Sequence, residues 1–524
     1  MNKTILRMFG PALALVIAAT VAQAGEIMGT IRAGGQPLPG ALVTAQTKSG
    51  IDITVYAAKD GTFRLKNLPA GPYAIRARAP GFEEMTAIAD EGASLDLQLH
   101  AAVNPLLVAP SSTFLSLLPD GAMKRRFIMV CTTCHEFSHT RIWKDGAVRN
   151  VAKWTDAIEL MKKIDAYAMI PPDLKTAQYA YWLATNLSPE RLASLKPPAA
   201  ADPAIVDGAT ITEYPLPNKD ELPHDVVIGP DGRIWITGFW HNEVLAMDPK
   251  TGVMETYPVT TNSTPAAQVR ALEFDRKGRL WIVLGGTKSV VRLDTKTGKF
   301  HTYPVGMYAH DLVIDSRGNI WINDYFSNPG RIARLSATTG KVTYFRLPSS
   351  NMTASEGLPL PYGLAIDAKD RLWSTQLAGN TLVRFDTRTM RAKLYRMPEP
   401  DSGPRRNAIG IDGSVWIPEF NDGYLARFDP NTETFKRYNL GDSALGAYEV
   451  AVDPRTGAVW ITGSLTSSLL RFDPKTGAIE HYPLPTEPAY MRKISIDART
   501  GAVWSAYSSL PAVVPKVVRL MPGR

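Results

Sequence analysis

The chain has 524 residues, of which 45% are hydrophobic and 21% charged, with 40 Gly and 40 Pro. Single hydrophobic cores stop growing at roughly 250–300 residues, so two or more domains are expected, and the abundance of turn formers favours a mainly β architecture. The formal charge of +8 falls by two, to +6, without Lys3 and Arg7; this modest excess suits acidic partners, and without a basic run interleaved with aromatics it argues against nucleic acid.

Residues 1–24 read as a secretory signal peptide. Lys3 and Arg7 form a basic start, Pro11 to Val21 is a short apolar run, and Ala22-Gln23-Ala24 has the small-x-small form of a cleavage site. The apolar run is short of the roughly 20 residues of a membrane span, and no later segment reaches that length. A mature protein beginning near Gly25, exported to the periplasm and without a transmembrane span, is expected.

From residue 25 to about 102, apolar and polar positions alternate between frequent turns, as in Ala41-Leu42-Val43-Thr44-Ala45 and Tyr73-Ala74-Ile75-Arg76-Ala77. Asp60-Gly61 marks a tight turn before Phe63 and Leu65. The pattern predicts a small β-sandwich. The stretches Pro37-Leu38-Pro39-Gly40-Ala41, Asp60-Gly61-Thr62-Phe63 and Leu68-Pro69-Ala70-Gly71-Pro72-Tyr73 resemble the carboxypeptidase regulatory-like domain. That resemblance implies a non-catalytic accessory or adhesion module.

The only two cysteines are three positions apart, and a histidine follows: Cys131-Thr132-Thr133-Cys134-His135. This is the C-x-x-C-H attachment sequence of one covalent c-type haem. Two thiols add to the porphyrin vinyl groups, and the adjacent His135 reaches the iron as an axial ligand. The competing readings are a redox C-x-x-C pair and half of a zinc site. A zinc site needs about four ligands, and no second cysteine pair exists. Downstream, Trp154, Ile158 and Met161 share one face of a predicted helix within 154–187. Met169-Ile170-Pro171-Pro172 reads as a loop, and Tyr179, Leu183 and Leu187 mark a last helix. In motif, length and final helix, residues 114–190 resemble the class I cytochromes c. The resemblance implies His135 and Met169 as axial ligands, with Met161 and His139 as runners-up. A Met/His pair suits an electron carrier rather than a centre that binds small ligands.

Seven tryptophans, Trp235, Trp281, Trp321, Trp373, Trp416, Trp460 and Trp504, recur at gaps of 46, 40, 52, 43, 44 and 44. Each lies in a frame of an apolar strand, an Asp or Gly turn, a strand bearing the Trp and a following Asp-containing strand. That period and strand count predict a seven-bladed β-propeller over 208–524. Ile211-Thr212-Glu213-Tyr214-Pro215 looks like a fourth strand placed before blade one, which would complete the last blade and close the ring. Residues 210–520 resemble the streptogramin (virginiamycin B) lyase family, a resemblance that bears on fold more than on reaction.

The frame places the opening residues of the innermost strands at the central mouth: His224, Arg270, His310, Tyr362, Asn407 (or Arg406), Tyr448 and Arg492. The third residue after each Trp should be nearby: Gly238, Leu284, Asp324, Gln376, Glu419, Gly463 and Tyr507. Such a cationic, polar cluster could hold an anionic or hydroxylated small molecule, with His224 or His310 as acid or base and Arg270 as anchor. It could equally be the wet lining of a channel without chemistry. In the lyase family a Glu after the blade Trp helps to bind magnesium, and Glu419 matches it. Asn421 stands where the family's base His is expected, a departure from the lyase pattern.

Three functional readings follow. The first is a haem-linked oxidoreductase or electron carrier acting on a small molecule or redox partner protein. The second is a carbon–oxygen lyase, with magnesium or another metal at the propeller. The third is a non-enzymatic binding or scaffold protein.

Overall fold

The computed structural model describes residues 25–133, 135–164, 169–259, 266–349, 357–509 and 513–523. The expected signal peptide and Cys134 lie outside the described residues. The molecule is mainly β, with an N-terminal sandwich-like domain, a helical segment and a C-terminal propeller. Among the described residues, no helix is long and apolar enough to cross a membrane.

The alternation read in the first hundred residues becomes two facing sheets. In Thr62–Leu68, Phe63 and Leu65 are buried while Thr62, Arg64 and Lys66 face solvent, the period of two of a half-covered strand. Gly25–Ala33 pairs antiparallel with Thr62–Leu68 and parallel with Ser94–Leu99. Asp52–Tyr56, Leu42–Gln46, Tyr73–Arg78 and Met85–Ala89 form the second sheet. Ile27, Ile31, Phe63, Leu65, Ile75 and Leu97 fill the space between them.

Six four-stranded antiparallel sheets follow in chain order over 223–258, 269–304, 309–346, 361–396, 408–439 and 447–483. A seventh combines Met491–Ile496, Val503–Ser509 and Val513–Met521 with Thr210–Pro215, in register from Thr210↔Met521 to Pro215↔Lys516. Its innermost strand neighbours those of the first and sixth sheets, so the ring is closed. The blade tryptophans are buried. In three blades the turn aspartate accepts the indole N–H: Asp275 from Trp281 at 2.9 Å, Asp315 from Trp321 at 2.9 Å and Asp367 from Trp373 at 3.0 Å. The same carboxylates accept turn amides, as Asp367 does from Lys369 and Arg371, so one side chain both builds the turn and satisfies a buried donor.

The closing strand does not leave an edge. Thr210–Glu213 pairs antiparallel with Val55–Asp52, so the seventh blade and one sandwich sheet form a single eight-stranded sheet. Lys516 bridges the seam, with Asp52 at 2.7 Å and Glu213 at 3.0 Å. Tyr56 OH donates to the Pro483 carbonyl at 2.8 Å.

The helical segment includes Ser111–Leu115, Ala122–Cys131, Val151–Ile164 and Thr176–Asn186. Its apolar core, with Phe114, Phe127, Phe137, Trp154 and Leu183, is continuous with Tyr325, Tyr362, Phe420, Tyr448 and Tyr490 of the propeller. The segment therefore sits on one face of the ring. Polar contacts fix it there: Ser112 N donates to Leu465 O at 2.9 Å, Lys124 to Ser443 at 3.1 Å, and Arg125 pairs with Glu399 at 3.0 Å.

Candidate functional site at the propeller mouth

A recurring local irregularity builds the mouth. The innermost strands of blades one, two, three, four, six and seven each carry a register shift after their first residue, between Pro223 and Val226, Val269 and Leu272, Ala309 and Leu312, Pro361 and Leu364, Ala447 and Val450, and Met491 and Ile494. A bulge re-aims the side chains of the residues it frees. Those residues include His224-Asp225, His310-Asp311, Tyr448-Glu449 and Arg492-Lys493. In four blades the amides released from the ladder find a side-chain acceptor two residues after the Trp. Thr237 accepts from the amides of His224 and Asp225, Asn323 from those of His310 and Asp311, Thr375 from Gly363 and Thr462 from Glu449. Sequence reasoning missed these four residues, although the recurring Trp-x-Thr or Trp-x-Asn spacing carries the signal.

The bulges bring His224, His310 and Arg270 together. The two imidazole rings are 6.0 Å apart and near-perpendicular. His224 Nδ1 is 2.7 Å from Asp225 Oδ1. Asp225 Oδ2 accepts from Arg406 at 2.8 Å. A carboxylate only accepts, so the His224 proton sits on Nδ1 and Nε2 is the basic nitrogen. Burial pushes His224 down to about 3, outweighing the opposing pull of Asp225. His310 donates Nδ1–H to the Tyr362 carbonyl at 3.0 Å, and its buried Nε2 has no partner. Burial, with Arg270 and Arg406 nearby, holds it far below the ordinary histidine range. Both imidazoles are thus neutral at pH 7. Burial alone would raise Asp225, but Arg406 and His224 outweigh it and hold the carboxylate ionised. Burial lifts Glu449 to about 7 against Lys493, 3.0 Å away, and Arg406, 3.9 Å away. Arg270 Nε donates to Tyr308 OH at 3.0 Å, and its guanidinium lies over the Phe239 ring.

Of the two candidates for blade five, Arg406 joins this charged cluster, while Asn407 donates to the Trp373 carbonyl. Glu419 is placed elsewhere. Arg437 Nε donates to its Oε2 at 2.8 Å, and Arg437 also binds Asp422 at 2.7 Å, so Glu419 belongs to a cluster of its own, not to the histidines. Asn421 donates to the Asp401 carbonyl at 2.8 Å. Tyr507 OH donates to Glu213 at the sandwich seam. Among the described residues, no cluster of three or more His, Cys, Asp or Glu is arranged for a metal ion.

Above the channel lies a layer of aromatic residues shared with the helical segment. Tyr362 and Tyr448 join hydroxyl to hydroxyl. Arg405, fully buried, donates Nη1–H to Tyr362 OH at 3.0 Å and lies 3.7 Å from the Phe420 ring centroid and 4.4 Å from that of Tyr448. Its Nη2 donates to Thr133 Oγ1 at 2.7 Å. Tyr490 OH lies 2.8 Å from the Thr132 carbonyl and 3.0 Å from that of Thr133. The two residues between the cysteines are therefore clamped onto the propeller. Met169, also buried, accepts at its sulfur from Tyr325 OH at 3.0 Å. Arg405, Tyr490 and Tyr325 were not singled out from the sequence.

Beside Cys131, the expected haem ligand His135 has one ring nitrogen engaged. His135 Nδ1 is 2.8 Å from the Glu136 carbonyl, which leaves Nε2 for an iron. The half-buried Cys131 ends the helix that leads into the motif. Around them Trp154 Nε1 and Arg141 Nε are buried donors without a hydrogen-bond partner, and Arg141 Nη2 lies 3.9 Å from Glu136 Oε1. Of the runner-up ligands, His139 stacks on Trp143 at 4.1 Å and Met161 is half-buried on Val151–Ile164.

Residues 26–100 match the family model of the carboxypeptidase regulatory-like domain, and residues 351–514 that of the virginiamycin B lyase family. No curated protein matches the chain. A streptogramin B lyase structure is 22% identical, with a TM-score of 0.53, over 60% of this chain and 98% of that one. Selenomethionine-substituted virginiamycin B lyase from Staphylococcus aureus, and a catalytically inactive variant of that enzyme with quinupristin, are each 20% identical with TM-scores of 0.53, over 60% of this chain and 99% of theirs. The likeness is one of fold. The chain carries an N-terminal carboxypeptidase regulatory-like domain and a C-terminal virginiamycin B lyase-like propeller.

Proposed function

We propose that this chain is an exported, periplasmic c-type haem protein that carries electrons between one haem held over the propeller mouth and a small molecule or redox partner at the propeller. Cys131 and Cys134 would hold the haem covalently, His135 and Met169 would be its axial ligands, and bound there it supplies one-electron transfer. The observation that carries this reading is the clamp on the motif: Arg405 on Thr133, Tyr490 on the Thr132 and Thr133 carbonyls, and Tyr325 on Met169. A haem module tied only by a flexible linker needs no such contacts.

On the channel side, the chain's own groups can receive a proton and an anion. His224, held by Asp225 as the Nδ1–H tautomer, offers Nε2 as a base at neutral pH. Arg270 offers a guanidinium already oriented by Tyr308. The lyase reading has less support, because Glu419 is engaged by Arg437 and the candidate base position is Asn421. The test is substrate-dependent reduction: alcohols, phenols and amines are added without oxygen to the oxidised holoprotein while the haem absorption is followed. Reduction that His224→Ala or Arg270→Ala abolishes, with haem content retained, is the expected result. Magnesium-dependent consumption of a substrate with no change in the haem would overturn it.

A further inference from the structure

The helical segment's polar contacts fall on blades three to seven, at Tyr325, Glu399, Arg405, Ser443, Leu465 and Tyr490. Beside it, on blades two and three, a cleft of about 410 Å³ opens to solvent. Three cations line it, Lys288, Arg331 and Arg346, against one carboxylate, Asp324. Arg331 is spoken for: its Nε donates to Asp324 Oδ2 at 2.8 Å. Lys288 and Arg346 are exposed, and neither has a carboxylate within ion-pair distance among the described residues. The remaining walls include Met307, Tyr308 and Phe326, with the two rings 4.9 Å apart. Tyr308 is also the inner wall, because its hydroxyl accepts from Arg270 of the channel at 3.0 Å and donates to Gln268 at 2.6 Å. One tyrosine ring thus separates the cleft from the arginine that faces the histidines.

We propose that this cleft binds small organic carboxylates with an aromatic or hydrocarbon body. The carboxylate is held between Lys288 and Arg346, and the body lies against Tyr308 and Phe326. The two cations favour an anion over a neutral analogue of the same shape. The apolar walls disfavour inorganic anions, which gain nothing from them. The inference concerns the propeller alone and holds whether or not the haem reading does.

The test is calorimetric titration of the full-length protein with benzoate, benzyl alcohol and inorganic phosphate at low ionic strength. Saturable binding of benzoate, tighter than that of the other two, is expected. The double variant Lys288→Gln/Arg346→Gln should weaken it by about tenfold or more, since charged hydrogen bonds are lost. Arg499→Gln, at an exposed cation far along the chain, should leave it unchanged. Both substituted side chains of the double variant are exposed, and an unaltered melting temperature confirms that the fold is kept. Absence of saturable benzoate binding, equal binding of phosphate or benzyl alcohol, or indifference to the double variant would each overturn the proposal. Haem absorption, read on the same samples, reports the haem reading separately.

Discussion

At the scale of the residue, His224 shows how burial and one partner set a chemical state. The folded protein refuses its proton until about pH 3, whereas the unfolded chain takes it up near 6.5. Below pH 6.5 the unfolded state therefore binds more protons at this site, and stability rises with pH. Several buried carboxylates act in the opposite sense; Glu449, raised to about 7, is one. The measurement that isolates the histidine is a difference. Unfolding free energies of the wild type and His224→Gln, compared between pH 4.5 and 6.5, should shift in favour of the wild type as pH rises, by about 2 kcal/mol over that range. A difference that does not change with pH would mean that the folded imidazole titrates normally. His224, His310 and Arg270 were legible in the sequence because the blade frame fixes which residue opens an inner strand. Glu419, the third residue after its blade Trp, was expected near them, yet Arg437, on Thr434–Asn439 two strands out in the same blade, draws its carboxylate into another cluster. A cross-strand ion pair of this kind leaves no trace in strand periodicity.

At the scale of the element, the blade is held by its turn aspartate and its tryptophan. Asp367→Ala would leave the buried Trp373 indole N–H without its acceptor and remove the acceptor for two turn amides. We expect a loss of about 1–3 kcal/mol in denaturant unfolding. Asp294→Ala, at an exposed turn where the carboxylate accepts turn amides but no buried indole, should cost less. Equal losses would show that the indole contact adds nothing. The tryptophan period made the blades legible, as did the strand before blade one, which pairs with Val513–Met521 as its pattern suggested. The bulges were not legible, since apolar alternation does not record an extra residue at the first step of a strand. Their acceptors at Thr237, Asn323, Thr375 and Thr462 become meaningful only once the bulge is seen.

At the scale of the whole molecule, two junctions matter, and neither can be read from the sequence. Strand Asp52–Tyr56 has the alternation of any sandwich strand, but it docks on the strand that closes the propeller more than 150 residues later. Edge pairing uses backbone groups that all residues share, so it has no compositional signature. Because sheet, Lys516 ion pairs and Tyr56 hydrogen bond cross this seam, sandwich and propeller should unfold in one calorimetric transition. Two separated transitions would show that the seam is weak. The second junction seats the helical segment on the mouth. Its key contacts join Thr132 and Thr133 to Arg405 and Tyr490, more than 250 residues away.

The proposed haem is tested most directly by its covalent attachment. The protein would be produced from all 524 residues in a cell that matures c-type cytochromes, purified, and extracted with acidic organic solvent. One haem per chain should remain in the protein fraction, with both thiols protected from alkylation, and a Cys131→Ala/Cys134→Ala variant should lose it. A haem-free chain with two alkylatable thiols would contradict the account.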